Sequence, residues 1–541
     1  MIYSIYDTTG IQSYIFASSK LRENIGASKL VGEVFTEFLP QVLESTFGKD
    51  NVITSWSDKH HRETTPWIFT KTAEIIYVGG GNAYVAYKTL CDYKKATAAF
   101  LHMVYNKTAT IGIASAFVET DFKDDYEQKH KDLMRRLSQS RGEINHPLGA
   151  GSQPITRASL LTGRPVTHID QISREQLSQD QYCKRDVNSG GLDSFDSLKL
   201  GSTSFLAVVH VDGNNISQHI EQYMKNGSNS WSEVVPKIRE MSYSIDMLYK
   251  EALNATNATF DEFYKGTSYY KKDESTPQLP IICGGDDITC VVSGLWGISY
   301  AAELLMQIES HSKMERLYPF KHWPEDDKKP HISACAGVVL FHSHYPFSEA
   351  YKMAEACCKN AKGYTRNADK HTNDIAGSFM DFHLHQGGMI ADLKSLRSRQ
   401  YSIGENILVH PPYCVLNPDT MEAETLELFK NKYQCFTDFT ELMSWAQKND
   451  SAWPRSRLKA LRDSIADGEN EVKKVLAWCK AKDYTLPEAY DPEITYKKYA
   501  SPEDEEKGKA LYKYALLFSV LEFADIYKDI RGAKNAHNTQ P

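Results

Sequence analysis

The sequence predicts an α+β fold made of two ferredoxin-like domains, a linker subdomain between them and a C-terminal helical bundle. Three observations predict it. A strand ending in aspartate and then a glycine-rich hairpin occur twice, at an offset of 205 residues. Around each hairpin the apolar pattern runs strand, helices, hairpin, helix, strand. Beyond Pro418 the pattern is helical only.

The first copy opens with a strand ending at Asp7, followed by a loop that enters a helix through Ile11, Tyr14 and Ile15. Ala27 to Glu44 has helical spacing. Glu74 to Val78 and Ala83 to Tyr87 read as two strands joined by the turn Gly79-Gly80-Gly81-Asn82. In the second copy Phe205 to Val211 leads to Asp212, and Gly213-Asn214-Asn215 opens the next helix. Trp231 to Leu253 follows as a helix. The strand Pro280 to Cys283 then turns at Gly284-Gly285-Asp286-Asp287 and returns through Ile288 to Val292. A helix over Gly297 to Met314, a strand over His331 to Phe341 and an amphipathic helix over Pro346 to Gly363 complete the unit. Both hairpins begin 72 residues after the strand-terminal aspartate, which argues for duplication.

The stretch from Phe122 to Ser204 mixes a charged helix, Lys131 to Arg141, with connections rich in Gly, Ser, Pro and Asn, and Asn188 to Gly191 reads as a mobile loop. Helical periodicity returns in Met421 to Lys432, Asp438 to Lys448, Ser456 to Ile465, Glu469 to Lys482 and Glu505 to Tyr527, with fraying expected from Arg531. The expected domains are therefore 1–121, 122–204, 205–417 and 418–541.

Composition agrees with a folded multidomain chain. At 541 residues, one core does not suffice, and 41% hydrophobic with 24% charged residues leaves little room for long disordered arms. The net charge of −8 gives no global pull toward phosphate backbones. No window holds the roughly 20 apolar residues of a spanning helix, and the start has no signal-peptide pattern, so a cytoplasmic location is expected. The ten cysteines form no Cys-x-x-Cys pair and read as reduced thiols.

The chemistry concentrates in the second hairpin. Its glycines, Gly284 and Gly285, have a structural reason, since they permit the turn. Adjacent Asp286 and Asp287 have none, because they repel one another and pack nothing. Beside Asp212 they would make an oxygen cage for magnesium or manganese, the requirement of two-metal phosphoryl transfer. The backbone of Gly213, Asn214 and Asn215 at a helix start suits a triphosphate, with a plain Asn cap as the alternative reading. Lys362, late in the closing helix, is placed to meet phosphate or else to sit in solvent.

At these residues the chain resembles the large polymerase/cyclase subunit of type III CRISPR effectors, with two palm domains flanking a linker domain and preceding a helical one. The resemblance runs through Gly10-Ile11-Gln12-Ser13-Tyr14-Ile15-Phe16-Ala17 and Gly79-Gly80-Gly81-Asn82 in the first palm. In the second it runs through Asp212-Gly213-Asn214, Gly284-Gly285-Asp286-Asp287, Ser333-Ala334-Cys335-Ala336-Gly337, Ala354-Glu355 to Ala361-Lys362 and Asp381 to Leu384. It implies conversion of ATP to a cyclic oligoadenylate with release of pyrophosphate, in antiviral defence. Asp212, Asp286 and Asp287 would be catalytic and bind the metals. Gly213, Asn214, Asn215, Gly284, Gly285, Ser333 and Lys362 would bind nucleotide, as would Gly79, Gly80, Gly81 and Asn82 of the degenerate first hairpin.

Two departures bear on function. No His-Asp dipeptide occurs, so a nuclease activity is not expected, and residues 154–165 carry no cysteine, so no structural zinc is expected. Partners implied by the resemblance are nucleoside triphosphates and other effector subunits with guide and target RNA, or further copies of the chain. Two other readings stay open: a non-enzymatic nucleotide-binding scaffold subunit, and a diguanylate-cyclase-like enzyme, whose palm shares the acid-acid hairpin.

Overall fold

The computed structural model describes residues 1–16, 21–59, 62, 71–108, 111–123, 125–143, 195–200, 204–225, 230–270, 275–321, 323, 329–371, 377–387, 392–403, 406–447, 453–484, 486–487 and 514–530. The expected Asn188 to Gly191 loop, the cysteine-free stretch 154–165 and the tail from Arg531 lie outside these residues. Two sheets organise the molecule, and each belongs to one copy of the repeat.

The first sheet has the order β2-β3-β4-β1-β5, from β1 (Ile2–Thr9), β2 (Val52–Ile53), β3 (Ala73–Gly79), β4 (Asn82–Tyr87) and β5 (Gly112–Glu119). Its side chains alternate as a two-sided sheet requires. Ile2 and Tyr6 face the helices α1 (Ile11–Ile15), α2 (Leu21–Glu33), α3 (Leu39–Phe47) and α4 (Leu90–Thr108). Tyr3 and Ile5 face the opposite way, into a core with Tyr126, Leu133 and Leu137 of α5 (Tyr126–Glu143). That helix was expected in the linker, but its apolar stripe covers the back of the first sheet, and packing of the first palm continues through it.

The second sheet has the order β11-β10-β9-β6-β8-β7, from β6 (Phe205–Gly213), β7 (Gln278–Gly284), β8 (Asp287–Ser293), β9 (Ala334–His342), β10 (Ser378–Leu384) and β11 (Tyr413–Val415). The helices are α6 (Ile216–Lys225), α7 (Trp231–Lys265), α8 (Gly297–Ser312), α9 (Phe347–His371) and α10 (Leu393–Gln400). Ala207, Val209 and Val211 of β6 pack toward α7, α8 and the C-terminal helices, while Leu206 and Val208 share a core with residues of the first palm. Helix α9 lies directly on β9, because a Cβ at Gly337 would stand 1.9 Å from the Ala354 carbonyl oxygen. The C-terminal helices α11 (Ala423–Lys432), α12 (Phe436–Gln447), α13 (Arg455–Asp467), α14 (Glu469–Lys480) and α15 (Ala515–Phe523) bury Phe439, Leu461 and Val520 in the second palm's core.

The palms clasp each other at equivalent points. Both hairpins carry a β-bulge, at Ile76 between Ile75 and Tyr77 and at Ile281 between Pro280 and Ile282, again 205 residues apart. A bulge removes its residue from the ladder, so its carbonyl needs another donor. Arg239 of α7 donates from Nε to the Ile76 oxygen at 2.6 Å, and Ser28 of α2 donates to the Ile281 oxygen. Arg239 also reaches Glu74 at 2.8 Å and the Ile75 oxygen at 3.1 Å, and Ser242 donates to Val78 at 3.1 Å. Burial raises the Glu74 carboxyl and lowers the Arg239 guanidinium despite their pairing. The pair is a buried inter-domain clamp whose two halves need one another.

No described helix is long and apolar enough to cross a membrane. The nine described cysteines are free.

Candidate functional site

Cross-strand register builds the site. Asp212, the penultimate residue of β6, is the direct partner of Asp287, the first residue of β8, so their side chains leave the same face of the sheet. Asp286 sits in the turn between Gly285 and Asp287, and its carbonyl accepts the Gly213 N–H at 3.2 Å. The three acids predicted from sequence therefore meet at one end of the second sheet. Gly285 has φ +63 and Asp286 does not take a positive φ, the pattern of a type II′ turn. Open space surrounds the turn, since nothing lies within 4 Å of a Cβ built at Gly284 or Gly285.

Helix α9 brings the counter-charge. Lys362 Nζ lies 2.6 Å from Asp212 Oδ2 and donates to the Gly213 carbonyl at 2.8 Å. Burial, then the Asp212, Asp286 and Glu355 carboxylates, push the Asp287 carboxyl up to about 7, with Lys362 opposing. Asp286 is raised too, by burial and by Asp212. Such mutual raising is what like charges sharing one site produce. Asp287 Oδ1 is shut off from solvent with no hydrogen-bond partner. His210 Nδ1 stands 3.4 Å from it but bonds Thr289 at 3.1 Å, and burial lowers the imidazole to about 4, so it is neutral and does not compensate the acid.

Two tyrosine hydroxyls complete the surroundings. Tyr249 of α7 and Tyr351 of α9 are 0% and 2% exposed, and neither hydroxyl has a partner. Both feel the acids: Tyr249 is raised by burial and then by Asp286 and Asp212, Tyr351 by burial and then by Asp287 and Glu355. The Tyr351 ring also packs 4.2 Å from Phe16 of the first palm. Orphaned polar atoms in a native fold call for an explanation, and a cation or ligand among the acids would supply one. The donors are all oxygen, which suits magnesium or manganese rather than zinc. Among the described residues, however, no three His, Cys, Asp or Glu side chains stand as a ready metal-binding group. The Lys362 ammonium is the cation beside Asp212.

The expected phosphate cradle after Asp212 needs correction. The Gly213 N–H goes to Asp286 and the Asn214 N–H to the Ser333 carbonyl at 2.9 Å. The Asn214 side chain turns inward at 2% exposure and donates to Ser333 Oγ at 2.9 Å and Gly377 O at 3.3 Å. Asn214 and the fully buried Ser333 thus brace the loop rather than face a ligand. Asn215, at φ +54, immediately precedes α6. The sequence reading missed His210, Tyr249, Tyr351 and Glu355. His210, two residues before Asp212 on one strand, was readable from the period-two rule. The tyrosines were not, because only tertiary packing carries them to the acids.

In the first palm Asp7 pairs with Asn82, the equivalent register, yet Asp7 is held by Arg141 of α5 at 2.7 Å. Both Gly80 (φ +58) and Gly81 (φ +78) are left-handed, a type I′ turn. Gly79 is pressed against α7, where a Cβ would meet Ser242 Oγ at 2.6 Å. A cleft of about 410 Å³ lies apart from the acids, between Lys313, Tyr318, Lys329 and Thr420.

Residues 205–369 match the family model of the Cas10/Cmr2 second palm domain. This stretch is thus similar to a Cas10/Cmr2 second palm. Solved structures agree over nearly the whole chain. The Csm1–Csm4 cassette in complex with cA4 has a TM-score of 0.51 at 13% identity, covering 98% of this chain and 70% of that one. The cassette with pppApA gives 0.51 at 14%, covering 97% and 69%, and with cA3 gives 0.50 at 14%, covering 97% and 69%. The chain thus has the tandem-palm α+β architecture of a Cas10-like large subunit. No curated protein sequence matches it.

Proposed function

We propose that the second palm is a nucleotidyl cyclase that joins ATP molecules into a cyclic oligoadenylate. One observation carries the reading: Asp212 and Asp287 are cross-strand partners with an ammonium against one and an orphaned oxygen on the other, beside an open glycine turn. In the reaction a ribose hydroxyl attacks an α-phosphorus, the bond to the β-phosphate oxygen breaks, and pyrophosphate leaves. Asp212 and Asp287, joined by Asp286, would hold magnesium or manganese. Bound there, the ion would lower the pKa of the attacking hydroxyl and neutralise charge on the leaving pyrophosphate.

The chain's own residues do the rest. Lys362 exchanges its hold on Asp212 for phosphate oxygens, which suits a long ammonium side chain that is 23% exposed. The exposed backbone of Gly284 and Gly285 lets the nucleotide approach the sheet edge. The Asn214–Ser333 bond keeps the Asp212 loop in place. The ligands named for the similar cassettes, cA4, cA3 and pppApA, are the product and intermediate expected of this chemistry. Those cassettes pair Csm1 with Csm4, and we propose a comparable subunit, with guide and target RNA, as partner of this chain.

The test is incubation of the purified protein with ATP, GTP, Mn²⁺ or Mg²⁺ and candidate RNAs, with mass spectrometry of the products. Pyrophosphate and a cyclic adenylate are expected, and a guanylate product would favour the diguanylate-cyclase-like reading. The pairing of Asp212 with Lys362 favours a scaffold as second reading. That reading expects co-purified RNA and subunits without turnover.

A further inference from the structure

Helix α7 runs 35 residues and serves both palms. Arg239, Ser242 and Tyr249 fall on one stripe of it, at spacings of three and seven. The first two bond the bulged strand of the first palm. The third reaches the acid turn of the second, about 10 Å further along the axis. There, a Cβ built at Gly213 would lie 2.4 Å from the Tyr249 hydroxyl and 3.0 Å from Asp286 Cβ. The hydroxyl and the Asp286 side chain therefore both border the space over Gly213, which only glycine leaves open. The hydroxyl is fully buried and unpartnered, and leaving it so costs about 1–3 kcal/mol. Phenylalanine would fill the same volume without that cost, so packing alone does not account for tyrosine.

We propose that Tyr249 is a positioning residue for Asp286: its hydroxyl donates to the Asp286 carboxylate in the nucleotide-bound state and fixes the orientation of that acid. Because Tyr249 shares its helix with the Arg239–Glu74 clamp, the same contact ties the acid turn to the seating of the first palm. The inference rests on the nucleotidyl-transfer reading of this site.

The experiment is Tyr249→Phe in the full-length chain, read by thermal melting, Mn²⁺ affinity and steady-state kinetics with ATP. The variant is expected to melt at or above the parent temperature, to bind Mn²⁺ several-fold more weakly, and to lose about 10- to 100-fold in kcat with KM within twofold. Unchanged Mn²⁺ affinity and kcat overturn the role of Tyr249 while leaving the cyclase reading intact. A melting temperature well below the parent's overturns the premise of an idle hydroxyl. If the parent binds Mn²⁺ without turnover, the affinity ratio alone decides. If the parent neither binds Mn²⁺ nor forms product, the cyclase reading falls and the inference with it.

Discussion

The two palms share strand order, register and even the bulge position, yet their turns differ in kind. In the first, Gly80 and Gly81 are both left-handed and Asp7 is neutralised by Arg141. In the second, only Gly285 is left-handed, so a side chain is tolerated next to it, and Asp212 faces Asp287 and a movable lysine. The comparison teaches that the acid cluster of one copy depends on turn geometry as much as on which residues are acidic. A type I′ turn demands positive φ at both central positions, whereas type II′ releases the second for aspartate. What both copies keep is the interface: each lends a helix donor to the other's bulge.

The sharpest test removes the difference. Asp286→Ala with Asp287→Ala is expected to lower nucleotide turnover by roughly a thousandfold or more, without unfolding, as judged by circular dichroism and melting. Retained turnover would break the comparison outright. The shared interface is tested next. Arg239→Met strands the buried Glu74 carboxylate and should cost about 3–5 kcal/mol in denaturant unfolding, most of it recovered when Glu74→Gln is added. An additive double mutant would mean that the clamp does not couple the palms.

A smaller effect concerns a buried acid of the second palm. Glu309 is fully buried, accepts a hydrogen bond from Ser378 at 2.5 Å, and is pushed up to about 7 by burial. Because it holds its proton more tightly folded than unfolded, its contribution is greatest at low pH and is lost as pH rises from about 4.5 through 7. Glu309→Gln should gain on the parent by on the order of 2 kcal/mol between pH 4.5 and pH 8 in unfolding titrations. A pH-independent difference would contradict the shift. The least effect is expected from a graft. Gly81→Asp with Asn82→Asp, placed in the chain lacking Asp286 and Asp287, should restore neither Mn²⁺ binding nor product. A Cβ at Gly81 would lie 2.9 Å from Ile11 Cδ1, and the left-handed backbone adds about 1–2 kcal/mol of strain.

Much of the fold was legible because duplication doubled the evidence. The offset from Asp7 to Asp212 and from Gly79 to Gly284 gave both sheets their central strands, and the three acids converge as the spacing required. The limits were places where packing overrides local preference. Helix α7 continues to Lys265, well past Leu253, through Asn254, Thr256 and Asn257, residues of poor helix propensity. Burial of Thr256, Phe260 and Tyr264 holds it, and Thr256 returns a bond to the Ala252 carbonyl at 2.9 Å. The inward turn of Asn214 was equally hidden, since its partners Ser333 and Gly377 are more than a hundred residues away. Cap and brace look alike in one dimension.

The left-handed pair at Gly80 and Gly81 also acts on the lineage. An acid introduced at position 81 meets a strained backbone, and Asp7 is already paired with Arg141, so no single substitution gives this turn the acids of its twin. The first copy is thereby left as a docking surface for its twin, a ratchet set by two torsion angles.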